Sequence, residues 1–238
     1  KSHMALYQLW FGGGTPDVAY EFALHIGTIL ATLLYFRRDI PAVLRDRKLL
    51  AMLFLTTACL VLVYPFRHQA EDLLRSEIAI ALGFFVLSGL LLAASRMHGM
   101  IEEAGVKQSF AVGIAQCFAV LPGISRSGVT SFGALASGMI LPAAFRYVFL
   151  CSIPALSGVS AYELWHGLKH RGEPGVAALT VSIPVLLIGI VLSGVIGYFS
   201  LILLDRVFLK RKLAWFALYA LLLSIVIFAR PFIFANRT

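Results

Sequence analysis

The chain has 238 residues, of which 60% are hydrophobic and only 13% charged, and its mean hydropathy is +0.88. So apolar and charge-poor a composition excludes an ordinary soluble domain and points to an integral membrane protein. The net charge of +8 does not point to nucleic acid, because the lysines and arginines sit in short clusters between apolar runs, where membrane orientation requires them, and not along one amphipathic face.

Crossing the hydrocarbon takes about 20 apolar residues. Six stretches are expected to do so: Val18 to Phe36, Leu49 to Phe66, Ile78 to Ala94, Ala144 to Trp165, Val176 to Leu204 and Leu213 to Phe234. Between the third and fourth, Lys107 to Leu141 is apolar at both ends but broken at Pro122-Gly123, and its arms, Ser109 to Leu121 and Gly128 to Leu141, are each too short to cross. A re-entrant helical hairpin with its tip near the midplane is expected there, since irregular backbone at depth is tolerated only where it lines a cavity. Cys59, Cys117 and Cys151 lie inside apolar runs without metal-ligand spacing and read as structural thiols. The start carries no pattern of a cleavable signal, and Lys1-Ser2-His3-Met4 has the look of an expression-tag scar.

Basic residues follow the first span (Arg37, Arg38, Arg45, Arg47, Lys48) and the fifth (Arg206, Lys210, Arg211, Lys212). If the first span runs inward and the hairpin returns to the side it left, both clusters fall on the cytoplasmic face, as the positive-inside rule requires. A hairpin followed by three spans, repeated, makes an inverted-topology repeat. The fold class expected is therefore an all-α integral membrane protein, one membrane domain over 1–238 with six transmembrane helices and re-entrant hairpins. Its first repeat is 1–106 and its second 107–238, with the hairpin at 107–141. The first repeat lacks its hairpin except for an echo: Lys1 to Leu6 can be laid over Arg126 to Ser131, base on base and serine on serine. The chain is thus expected to begin at the tip of a first hairpin.

The chemistry is concentrated between Gln116 and Thr130. An arginine at the bilayer centre costs about 2.5 to 3.5 kcal/mol even on a lenient scale, so Arg126 requires an anionic partner or a watery cavity. Pro122 and Gly123 should end the incoming helix, and a new one should start near Ser127 to Thr130, capped by a hydroxyl. Its free N–H groups, its positive dipole end and the guanidinium of Arg126 would form an anion site suited to phosphate, with hydroxyl donors from Ser125, Ser127 and Thr130. The competing reading is a surface loop with Arg126 snorkelling to the interface; the small residues from Gly128 to Gly138 favour a packed tip. Glu21 and His25, four apart on one helix face, read equally as a cavity-lining pair or an interfacial helix-end pair.

Leu121-Pro-Gly-Ile-Ser-Arg-Ser-Gly-Val-Thr130, preceded by Gln116, resembles the second signature of the undecaprenyl-pyrophosphate phosphatases, the integral-membrane bacitracin-resistance family. The likeness continues through Phe145-Arg-Tyr-Val-Phe-Leu-Cys-Ser-Ile-Pro154, Phe22-Ala-Leu-His-Ile-Gly-Thr-Ile-Leu-Ala31 and Phe36-Arg-Arg38. Of the family's first signature, a glutamate-rich helix and then Leu-Pro-x-Ser-Ser-x-x-His, this sequence carries only the end. Lys1 and Ser2 take variable positions and His3 matches the histidine. Ala5 to Gly12 continue the match, which sets the tag reading aside.

The resemblance implies hydrolysis of a polyprenyl diphosphate to the monophosphate plus phosphate. That reaction recycles the lipid carrier of cell-wall synthesis on the outer side of the plasma membrane and confers bacitracin resistance. It implies catalytic roles for His3, Arg126 and Ser125, and diphosphate contacts from Ser2, Gln116, Gly123, Ser125, Arg126, Ser127 and Thr130. His3 would be a general acid or base or itself the nucleophile, a serine before Lys1 being the other candidate. The family's glutamates, not in this sequence, would hold a divalent cation, Mg²⁺ or Ca²⁺. The expected partners are the lipid substrate and the bilayer, with a homodimer left open and no nucleic acid. The runner-up is a transporter or flippase for a polyprenyl phosphate lipid, because inverted repeats with broken helices also build secondary transporters.

Overall fold

In the computed structural model, which describes residues 2–11, 18–169, 182–210 and 212–234, all regular structure is helical apart from one bridge between Ile101 and Met139. The helices are α1 (Ser2–Phe11), α2 (Val18–Tyr35), α3 (Ile40–Arg45), α4 (Arg47–Ala58), α5 (Arg67–Leu73), α6 (Glu77–Arg96), α7 (Val106–Cys117), α8 (Arg126–Ala136), α9 (Leu141–Lys169), α10 (Ile183–Leu209) and α11 (Leu213–Phe234). Among the described residues, four segments are long and apolar enough to cross a membrane: Glu77–Arg96, Leu141–Tyr162, Ile183–Phe208 and Leu213–Arg230. Two shorter apolar helices, Tyr20–Tyr35 and Val106–Val120, accompany them. The protein is a multi-pass membrane protein, as its composition requires.

The third and sixth expected spans coincide with α6 and α11 to within two residues, and the fourth lies inside α9. The first forms α2 but is one of the shorter apolar helices. The second does not form as one helix. α4 stops at Ala58, and 3-10 turns follow at Cys59–Leu62 and Tyr64–Phe66. Pro65 supplies no N–H and disfavours helical geometry at Tyr64, which accounts for the later break. At the earlier one the chain is in contact with α7, where a Cβ on Gly113 would lie 2.6 Å from Cys59 Sγ and 3.1 Å from the Thr56 carbonyl oxygen. The thiol of Cys117 donates to the Cys59 carbonyl at 3.2 Å. The fifth span begins as a helix at Ile183; residues 176–181, where its start was expected, lie outside the described residues, as does Lys1.

The described residues divide into two compact units, one within 1–14, 55–148 and 207–238, the other within 15–54 and 149–206. In the first, α6 and α11 pack side by side through Ile80, Ala81, Phe84 and Leu87 against Ala217, Ala220 and Ile227, with Ala5 and Leu6 of α1 in the same cluster. Lipid tails are as apolar as these side chains, so close approach and hydrogen bonds hold such helices together, not escape from water. Ser224 accordingly donates its hydroxyl to the Ala81 carbonyl at 2.8 Å.

α7 and α8 form the hairpin. They meet where a Cβ on Gly133 would lie 2.7 Å from that of Ala115. At its base, Gln108 accepts from the Gly105 N–H at 3.1 Å and donates to the Ser137 carbonyl at 3.2 Å, while the Ile140 N–H reaches the Ile101 carbonyl at 2.9 Å. A buried hydroxyl trio fixes the incoming arm. Thr56 donates to the Ser109 carbonyl at 3.2 Å and Ser109 to that of Gly105 at 2.9 Å, and the Tyr147 hydroxyl shares hydrogen bonds with both hydroxyls, at 2.7 and 2.9 Å.

In the second unit, α2 and α10 touch at Gly27, where a Cβ would lie 1.9 Å from Ser193 Oγ. Ser193 donates to the Leu24 carbonyl at 3.0 Å.

Candidate active site

The polar patch of the sequence folds as the turn between α7 and α8. α7 tightens into a 3-10 turn at Phe118–Val120, Leu121 is extended as the residue before a proline should be, and Gly123 adopts φ +79°, which favours glycine. Glycine is required here twice over, because a Cβ on Gly123 would sit 2.3 Å from the Ile80 carbonyl oxygen of α6. From the other side, a Cβ on Gly83 would lie 1.8 Å from the Pro122 carbonyl oxygen. The tip is thus seated directly on the α6 backbone.

The second arm starts slightly earlier than the sequence suggests, at Arg126, because Ser125 is the cap. Its φ/ψ is extended (−72°, 126°), its hydroxyl accepts from the Gly128 N–H at 3.4 Å, and it lies 3.2 Å from the Ser127 hydroxyl. Among the described residues nothing accepts from the amides of Arg126 and Ser127, and the half-buried Arg126 guanidinium has no hydrogen-bond or ion-pair partner. Gln116, in the last turn of α7, is 1% exposed, and among the described residues its Nε2 has no hydrogen-bond partner. Two helix-end amides, a planar cation and a buried amide donor are the equipment of a phosphate site.

Thr130 is spent otherwise: it is buried and its hydroxyl donates to the carbonyls of Arg126 and Ser127, at 2.7 and 3.3 Å. Ser2, at the start of α1, reaches the tip, its Oγ accepting from the Gly123 N–H at 2.7 Å. His3 turns elsewhere. Its ring lies edge-on to Phe84 at 5.2 Å and stacks on Tyr219 at 6.1 Å, and its Nε2 is 2.7 Å from the Tyr219 hydroxyl. Within the other unit, Glu21 lies in the first turn of α2, where a carboxylate suits the helix dipole, and His25 Nδ1 shares a 2.9 Å hydrogen bond with Ser160 Oγ. Sequence reading passed over Gly83, which nothing but its small size marks, and Tyr219. The signal for the latter was a phenolic hydroxyl inside an otherwise apolar span, where it needs a partner.

The family model for the bacitracin resistance protein BacA matches residues 1–226. The chain belongs to this family. The undecaprenyl-diphosphatase of Geobacter metallireducens is 30% identical across 93% of this chain and 87% of its own length. That of Pelobacter propionicus is 31% identical across 93% and 86%, and that of Gemmatimonas aurantiaca 30% identical across 100% and 91%. The BacA-family match extends from α1 through the hairpin into α11, so all the elements bearing on the tip lie inside it.

A divalent cation would need several hard oxygen or nitrogen ligands at one place. Among the described residues no group of three or more His, Cys, Asp or Glu could hold one. These residues do not by themselves fit a metal centre.

Proposed function

We propose that this BacA-family protein hydrolyses a polyprenyl diphosphate of the undecaprenyl class to the monophosphate and inorganic phosphate, recycling a cell-wall lipid carrier and so conferring bacitracin resistance. The observation that carries the reading is the unpaired Arg126 at the start of α8, beside two unclaimed amides. Phosphoryl transfer asks a protein mainly for positioning and for neutralisation of charge spread over the phosphoryl oxygens. Arg126 offers a two-pronged set of donors, the amides of Arg126 and Ser127 offer fixed dipoles, Ser125 and Ser127 add hydroxyls, and Gln116 adds a donor already stripped of water. The oxygen bridging the two phosphorus atoms leaves on the lipid monophosphate, and water takes its place on the terminal phosphorus, either directly or by hydrolysing the phosphoenzyme that an enzyme nucleophile has formed first. His3 carries the proton in this reading.

The finer architecture belongs to the same proposal: six spans, re-entrant hairpins in an inverted repeat forming one membrane domain, and a site open to the outer face of the plasma membrane. It is supported by the two short arms α7 and α8 meeting at a left-handed glycine and by Ser2 reaching that glycine from α1. Dependence on Mg²⁺ or Ca²⁺ is proposed with it, since a diphosphate can bring much of the ligand set itself.

The deciding experiment assays the purified full-length protein in proteoliposomes containing undecaprenyl diphosphate. Phosphate release that EDTA stops and Mg²⁺ or Ca²⁺ restores is expected. Lipid movement across the bilayer without phosphate release would replace the enzyme with a flippase.

A further inference from the structure

His3 is held by a residue that neither the signature motifs nor the tip contains. Its Nε2 lies 2.7 Å from the hydroxyl of Tyr219, and the two rings are nearly parallel, 11° apart. Phe84 meets the imidazole edge-on, at 74°. An imidazole gripped in this way has one nitrogen committed and one at liberty: among the described residues Nδ1 has no hydrogen-bond partner. The contact also ties the histidine to the tip through immediate neighbours. Ser2 precedes His3 and binds Gly123, while Gly83 precedes Phe84 and bears on Pro122.

We propose that Tyr219 is the positioning residue for His3, fixing the imidazole through Nε2 so that Nδ1 is the nitrogen that exchanges a proton with the reacting phosphate or water. The proposal rests on the diphosphatase reading and on His3 acting in it. It goes beyond that reading by naming the nitrogen that works and the residue that selects it. Tyr219 stays out of the chemistry. A phenolic hydroxyl both donates and accepts, so it can donate to Nε2 or accept from it as His3 changes protonation state. In either state the ring plane is kept. Helix α11 supplies the grip from within a rigid pair, since Ala217 and Ala220 on either side of Tyr219 are buried against α6.

The test compares Tyr219→Phe, His3→Gln and the double variant in the full-length protein, assayed on undecaprenyl diphosphate across pH. Tyr219→Phe keeps the ring and its stacking and removes only the hydroxyl. A fall in kcat of about two- to tenfold is expected, the worth of one neutral hydrogen bond, with KM little changed. The limb of the pH profile that disappears in His3→Gln should move in Tyr219→Phe. In the His3→Gln background, removing the hydroxyl should cost nothing further. Nitrogen-15 NMR of the labelled histidine, which needs no turnover, should show the Nε2 resonance moving on Tyr219→Phe. An inactive His3→Gln beside an unchanged Tyr219→Phe profile would overturn the role of Tyr219 and leave the diphosphatase reading standing. An equal loss in both backgrounds would make Tyr219 a packing residue only. A fully active His3→Gln would remove His3, and Tyr219 with it, from the reaction.

Discussion

The hydroxyl of Ser2 and the backbone amide of Gly123, 121 positions apart in the chain, meet at 2.7 Å. Through this bond α1 and the hairpin are registered to each other, and both bear on the same stretch of α6.

Gly123 should be the least replaceable residue of the tip. Gly123→Ala forces a non-glycine residue to φ +79°, at about 1 to 3 kcal/mol, and drives its Cβ into the Ile80 carbonyl. Lower thermal stability together with lost phosphate release is expected. Ser2→Ala, which removes a single hydrogen bond, should cost about 1 kcal/mol. Thermal melts of the two variants in one detergent would compare them directly, and a Gly123→Ala protein as stable as the parent would refute the seating on α6.

Arg126→Ala should lower kcat/KM by roughly 10²- to 10³-fold, the range for loss of a donor aimed at developing charge. Arg126→Lys should recover only part of it, because an ammonium keeps the charge but not the planar fork. Steady-state assays with the lipid substrate decide; near-full rescue by lysine would mean that charge alone is read.

Gln116→Leu should have effects of opposite sign. The buried, unpartnered Nε2 is a standing cost of about 1 to 3 kcal/mol in the substrate-free protein, so its removal should raise thermal stability while kcat/KM falls. A variant that lost stability would show that the amide is structural.

Glu77 opens α6, and its carboxylate pairs with Arg230, whose guanidinium also lies 5.1 Å over the Trp10 ring. The Arg230 and Glu77 side chains are 32% and 25% exposed, so Glu77→Gln should cost about 1 kcal/mol, more in low salt than in high, without touching turnover. Melting curves at two ionic strengths would measure it.

The sequence made the continuous helices legible and left the joins illegible. α11 begins at Leu213 and ends at Phe234 where hydropathy places it, and α6 adds the serine cap and the terminal arginine that a helix wants. The run from Leu49 to Phe66 is equally apolar, yet its helix breaks at Ala58, because hydropathy reports depth and not backbone geometry. At the tip, the residue types alone announced an anion site. The cap at Ser125, two residues ahead of the earliest expected start at Ser127, depended on a single ψ angle. The turn of His3 toward Tyr219 depends on how α1 lies against α11, a relation between distant segments that no local pattern encodes.

Thr56, Ser109 and Tyr147 give α7 something the tip itself lacks, a fixed origin of measurement. From Ser109 to Gln116 is seven residues, about 10 Å of helix at 1.5 Å per residue. An arm pinned at that distance works as a gauge, and the level at which the orphan amide and the arginine meet a substrate is decided at its far end. Inserting or deleting one residue between them would turn Gln116 by about 100° and shift it by about 1.5 Å, and with Ser109 held by two hydroxyl partners the error would be carried to the tip in full.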